Sequence, residues 1–319
     1  MCVGNQKCSC NVISDVRSVK EQELKFSNAH FHPVPDDEQT AKARAELLSC
    51  PDDVDRIVAL GDALAFQMRY TEALRCYEKA RDLRPDDYKI RRKCAGRYLS
   101  TFDLDKAESA CEWCVAHTSD RLDALYMLAC CKYYQGEYQT AKTMFDECID
   151  LAKDNGDMYV AALFWAVACS VQTGQDVAGD MAKFSENIPI GHHTGYMQSL
   201  KLFAGKKLAE CDTIPKEDEL QLCIFTYGAH LYYMHKQNAL LADAFLAGTL
   251  NLDTYFAAFA YLGAYSEYIR QKKVNFANKR SVALAICRCD RRFSISVSDS
   301  RKEKSTKGKS LGKSPRLNP

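Results

Sequence analysis

Between Val54 and Lys153 the chain repeats itself with a period of about 34 residues, and that period limits the fold more than any other feature. In the first copy Ile57, Leu60, Gly61 and Leu64 share one helix face, Ala73, Tyr77 and Ala80 share the next, and Pro85 closes the unit. One period further on stand Arg91, Cys94, Ala95, Tyr98, Ala107, Cys111, Cys114 and Ser119. A second shift reaches Leu125, Leu128, Ala129, Lys132, Ala141, Phe145, Cys148 and Lys153. Small residues recur where two helix backbones approach, and large apolar residues recur where their faces interlock. The spacing predicts helices over 54–67, 70–83, 88–101, 104–116, 122–135 and 138–152. Such short helices are marginal alone in water because nucleation is costly. Stacking of successive pairs into one continuous core is what holds them.

The small positions (Gly61, Ala95, Ala129; Ala73, Ala107, Ala141; Ala80, Cys114, Cys148), the bulky residues between them, Pro85, and Gly136 at a turn between two helices resemble the tetratricopeptide repeat family. Arg91 and Lys132 replace apolar residues of the family pattern, and the second and third copies lack the closing proline. The resemblance implies an all-α chain: a right-handed superhelical solenoid of antiparallel helix pairs with repeats at 54–87, 88–121 and 122–155. Residues 158–270 also resemble long repeat proteins of bacteria, uncharacterised members of the same family, for which the name implies binding and nothing narrower.

Around the repeats, 1–51 reads as a partly disordered N-terminal segment with one short helix from Asp36 to Leu48. Asp52 or Asp53 is placed to cap the first repeat helix. After Asn155-Gly156 the period slips: Gly174 answers Gly136 after an insertion, and 176–187 reads as a degenerate partner helix. Further helices are expected over His192 to Ala204, Pro215 to Tyr233, Ala239 to Leu250 and Thr254 to Arg270, about twelve or thirteen in all. Residues 154–271 are therefore taken as degenerate repeats, and 272–319, rich in Lys, Arg, Ser and Gly, as a basic and largely disordered tail.

The net charge of +1 hides an asymmetry: residues 272–319 hold fourteen Lys and Arg against three Asp and Glu, a surplus of eleven, so 1–271 carry −10. No secretory leader pattern opens the chain, and no stretch reaches the roughly 18 apolar residues of a membrane span. Sixteen cysteines in a long helical chain point to free thiols in a reducing, cytoplasmic compartment rather than to a disulfide framework.

The resemblance places the binding surface on the concave face, lined by the first helix of each pair. In this register the face includes Asp62, Phe66, Lys89, Arg92, Tyr126 and Tyr133. Arginine and aromatics are enriched at interfaces, so a peptide or helix of another protein is the expected partner. Family members that clamp acidic chaperone tails present lysine, asparagine and arginine. Here Val58, Asp62, Lys93, Asp123 and Met127 stand at those places, and the acids repel such a ligand. The CxxC of Cys111 and Cys114 falls on packing positions, as does Cys130-Cys131, and cysteine behaves there as a small hydrophobe. His192-His193 and His30-x-His32 have no carboxylate or cysteine at metal spacing. No phosphate-cradling loop, HExxH or GxSxG occurs, and no metal, cofactor or enzymatic activity is expected. Ser294, after Arg291-Arg292-Phe293, matches a basophilic kinase pattern. The leading expectation is a non-catalytic protein-interaction scaffold. The alternative is a nucleic-acid- or ribosome-associated factor acting through the basic tail.

Overall fold

The computed structural model describes residues 34–274 apart from 212 and 253. The chain divides into Met1–Gln271 and Lys272–Pro319, and all that follows concerns the first unit. The expectations for His30, His32, Ser294 and the basic tail lie outside the described residues. The described residues form fourteen α-helices and no strand. These are α1 (Glu38–Ser49), α2 (Val54–Phe66), α3 (Tyr70–Leu83), α4 (Tyr88–Ser100), α5 (Leu104–Ala116), α6 (Leu122–Gln135), α7 (Tyr138–Leu151) and α8 (Gly156–Gln172), followed by α9 (Ala178–Met181), α10 (Thr194–Phe203), α11 (Leu208–Cys211), α12 (Glu219–His235), α13 (Ala239–Asn251) and α14 (Phe259–Val274).

The helix starts follow from caps. Asp53 accepts from the backbone N–H groups of Asp55 and Arg56, and Asp87 does the same for Lys89 and Ile90, satisfying donors that a helix cannot satisfy itself. From α1 to α8 each helix packs against the next, while α4 packs on α6 and α6 on α8, so that successive pairs stack as a solenoid. The small positions do what the period requires. A Cβ on Gly61 would lie 2.6 Å from the Tyr77 ring, so glycine lets α2 and α3 close.

A backbone mark extends the repeat beyond the sequence signal. Met68, Phe102, Gly136, Gly174, Gly205 and Gln237 all have positive φ, and each sits just past α2, α4, α6, α8, α10 or α12. A left-handed residue at this place ends a helix and turns the chain back. The intervals of 34, 34, 38, 31 and 32 residues define six helix-turn units over the body.

In the fourth and fifth units the second helix shrinks to a single turn. The partner helix expected over 176–187 is only Ala178–Met181, and the fifth unit keeps only Leu208–Cys211. Asp180 there is buried, bonds Ser170 and pairs with Lys142 at 2.5 Å. Its neighbours leave the helix because 182–193 is held elsewhere: Asp157 accepts from the N–H groups of Gly191, His192 and His193. Without full second helices between them, α8, α10 and α12 pack directly on one another. Gly228 permits this, since a Cβ there would stand 2.1 Å from Ser199 Oγ and 3.2 Å from Phe164. Gly228→Ala is expected to cost about 1–3 kcal/mol through overpacking, read as a lower urea midpoint. An unchanged midpoint would mean that α10 yields at no cost.

The expected helix from Thr254 to Arg270 begins instead at Phe259, after turns over 254–258. It does not extend the stack as half of a pair. It lies against the inner faces of α6, α8 and α12, and this decides what the groove can do.

Candidate protein-binding surface

The first helices present the residues named above, and the structure separates them into two groups. Asp62, Phe66, Lys89 and Arg92 line the open part. Phe66 is 80% exposed, Asp62 and Lys89 are exposed and Arg92 is half-buried. Lys89 and Arg92, but not Asp62 or Phe66, line a cleft of about 360 Å³ with Tyr88, Lys93, Thr118, Asp120 and Asp123. Tyr126 and Tyr133 are in the interior, 5% and 0% exposed. The register took both as groove residues, but Phe259 and Glu267 of the same chain lie against them, so neither tyrosine is at a surface.

In the open part the charges are already matched. The Arg92 guanidinium donates two bonds to the Asp123 carboxylate, at 2.8 and 2.7 Å. Lys93 Nζ stands 2.6 Å from Asp62 Oδ1, which also accepts from the Tyr77 hydroxyl. Each bridge joins neighbouring units across 31 residues. The arrangement stitches neighbouring units together and leaves the Arg92 and Lys93 charges paired. Exposed pairs contribute little, so a double-mutant cycle on Arg92→Ala and Asp123→Ala is expected to give a coupling of about 0.2–1 kcal/mol. A value well above that range would show the bridge to be shielded from solvent.

The closed part is built around α14. Gly263 meets Trp165 and Tyr227, where a Cβ would lie 2.9 and 3.0 Å from their rings. Tyr265 packs edge-on to Phe102 at 5.1 Å between centroids, and Phe259 edge-on to Tyr126 at 5.4 Å. Arg270 donates to the Tyr134 carbonyl at 2.8 Å, and the Tyr134 hydroxyl donates to the Phe259 carbonyl at 3.0 Å. Trp165 Nε1 donates to the Tyr126 hydroxyl at 2.8 Å.

At the centre the Glu267 carboxylate accepts from the Tyr227 hydroxyl, from Tyr133 at 3.4 Å and from His230 Nε2 at 2.9 Å. His230 Nδ1 faces the Ala242 carbonyl at 2.8 Å. A carbonyl only accepts, so Nδ1 carries a proton. Nε2 faces a carboxylate and carries one too, which makes the ring an imidazolium. Burial alone would push His230 down, but the Glu267 charge and hydrogen bond outweigh it and raise its pKa. Burial would likewise raise Glu267, and the His230 charge and hydrogen bond with the Tyr227 bond hold it below its ordinary value. Spacing gave no warning of this pair. The only sequence hint is a lone acid among Tyr261, Tyr265 and Tyr268.

The remaining candidate chemistry resolves into packing. Cys111, Cys114, Cys130 and Cys131 are fully buried, and burial pushes the Cys114 thiol up to about 11 and Cys131 to about 12, which suppresses the thiolate. His192 has a carboxylate neighbour that local spacing did not show: its Nδ1 lies 3.2 Å from Asp157, which also anchors the loop. Among the described residues no three His, Cys, Asp or Glu side chains are grouped to hold a metal, and no helix is long and apolar enough to cross a membrane.

A family model described as tetratricopeptide repeat matches residues 123–154, the span of α6, α7 and the turn at Gly136. No curated protein matches the chain. The repeat itself points to a protein–protein interaction scaffold, and the all-helical stack agrees with it. The chain therefore carries a tetratricopeptide repeat at residues 123–154, set within a solenoid of paired helices.

Proposed function

We propose that this chain is a non-catalytic scaffold that takes a protein partner on the open part of its repeat groove, at Asp62, Phe66, Lys89 and Arg92. The observation that carries this reading is the 80% exposure of Phe66 on a first helix of the stack, with a cleft on the next first helix at Lys89 and Arg92. An aromatic side chain left at a rim of matched charges suits an apolar anchor with polar surroundings. The preformed stack loses little ordering entropy when a partner docks. Tyr126 and Tyr133 serve this function indirectly, by holding the stack in shape.

The test is capture from native extract with three full-length baits: the wild type, Phe66→Ala/Lys89→Ala, and Tyr126→Phe. A protein partner is expected on the wild type and on Tyr126→Phe, and its recovery is expected to fall at least tenfold on the double variant. Equal recovery on all three baits would remove the open rim as the site. Capture of nucleic acid alone would favour the basic residues beyond 271.

A further inference from the structure

The inner groove is a complete receptor for one helix, and the helix it holds is the last described element of the chain. Its specificity is written in three places. Gly263 fits between Trp165 and Tyr227, Glu267 completes the His230 cluster four residues later, and Arg270 caps the Tyr134 carbonyl three residues beyond that. These partners lie far away in sequence: 37 residues for His230, 40 for Tyr227, 134 for Tyr133 and 136 for Tyr134. To the preceding helix, the Tyr261 hydroxyl donates to the Leu250 carbonyl at 3.4 Å. Between them runs the connector 252–258. At its start Asn251 is enclosed with neither amide atom hydrogen-bonded, so the closed path over this hinge leaves a buried polar group unsatisfied.

We propose that the groove also accepts α14 from a second copy of this chain, giving a dimer in which each His230 cluster is completed by the partner's Glu267. An identical helix restores every contact of the groove. The balance between closed and exchanged forms then rests on the connector and on protein concentration, and exchange of an identical element is a low-cost route to dimers. The contacts of α14 to α6 span 134 and 136 residues, so closing them on the same chain carries a loop-closure cost. Until they close, the same groove is open to another copy. Once seated, α14 is enclosed on all sides from Ala260 to Tyr268, so the exchanged form persists after folding. This inference does not depend on the open rim being the partner site.

Complementary shape provides the test, with full-length chains throughout. Gly263→Phe gives a helix too large for the wild-type groove. Trp165→Ala gives a groove with room for it. In an exchanged heterodimer the enlarged helix meets the enlarged groove, and the wild-type helix meets the wild-type groove. The two chains, one carrying an affinity tag, are unfolded, mixed and refolded together. A one-to-one heterodimer is expected, melting above either variant refolded alone, together with a wild-type dimer whose yield rises with refolding concentration. If the tagged chain retrieves no partner and the wild type stays monomeric at every concentration, α14 docks only on its own chain and the proposal fails. A wild-type dimer whose variants do not rescue one another also overturns it, because the interface then lies elsewhere.

Discussion

Glu267→Ala is expected to lower the unfolding free energy by about 3–5 kcal/mol at pH 6, the cost of leaving a buried charge without its partner. The stranded group is the His230 imidazolium, 1% exposed and held by one carbonyl. The Tyr227 and Tyr133 hydroxyls lose the carboxylate in the same step and keep only each other, at 2.7 Å. Glu267→Gln keeps the shape and an acceptor oxygen and is expected to lose less. The variants are compared by urea denaturation followed by circular dichroism. A loss below about 1 kcal/mol for Glu267→Ala would show that the imidazole sheds its proton cheaply and that the pair does not hold α14. The pH profile gives a second reading. His230 is raised on folding, so its contribution is full below the ordinary 6.5 and is lost as pH rises through the raised value. Glu267 is lowered, so its contribution is full above the ordinary 4.5 and is lost as pH falls through the lowered value. Both are full between pH 4.5 and 6.5, and the wild type is expected to have that part of its stability maximum there. Glu267→Ala removes this contribution from the profile.

How far the sequence alone led depends on which residues are asked. The small positions from Gly61 to Cys148 showed where helices touch, because close approach excludes large side chains whatever the rest of the fold does. The helix limits of α2 to α7 followed from that and from caps such as Asp53. The turn residues were legible only in part. Gly136 and Gly174 stood out as glycines, whereas Met68, Phe102 and Gln237 adopt the same left-handed turn without the residue type that announces it. Tyr126 and Tyr133 show the limit of periodic reasoning. A period identifies which face a residue occupies, but not what else in the chain lies against that face. The information was in α14 itself. From Phe259 to Tyr265 the helix is apolar on every face, and such a segment is buried rather than amphipathic. Read that way, the segment needed a groove, and α6, α8 and α12 carry large aromatics to line one, among them Tyr133, Trp165 and Tyr227. The pairs Asp62–Lys93 and Arg92–Asp123 share a separation of 31 residues, three short of the repeat period, so bridging between adjacent units was open to prediction once opposite charges were sought at that spacing.

The same inversion, from binding face to core, makes Trp165 the residue whose loss should be felt most widely. Its ring stacks on Phe145 at 6.0 Å between centroids and meets Tyr133 edge-on at 4.8 Å, with Tyr227 at 5.9 Å. It also closes on Gly263 and gives its only N–H to Tyr126. Helices α6, α7, α8, α12 and α14 all reach it, so no single neighbour can move into the space without drawing away from another. Trp165→Ala is therefore expected near the upper part of the 3–5 kcal/mol range for an aromatic removed from a core. Trp165→Phe keeps most of the apolar volume but drops the bond to Tyr126, and is expected to cost about 1–3 kcal/mol. Equilibrium urea denaturation orders the two variants. If Trp165→Ala costs no more than Trp165→Phe, the cavity has collapsed, and the groove is softer than a receptor shaped around Gly263 must be. If the expected order holds and Gly263→Phe in the same background recovers part of the loss, the ring and the glycine form one packing unit, which places the rigidity of the repeat stack in the helix that fills it.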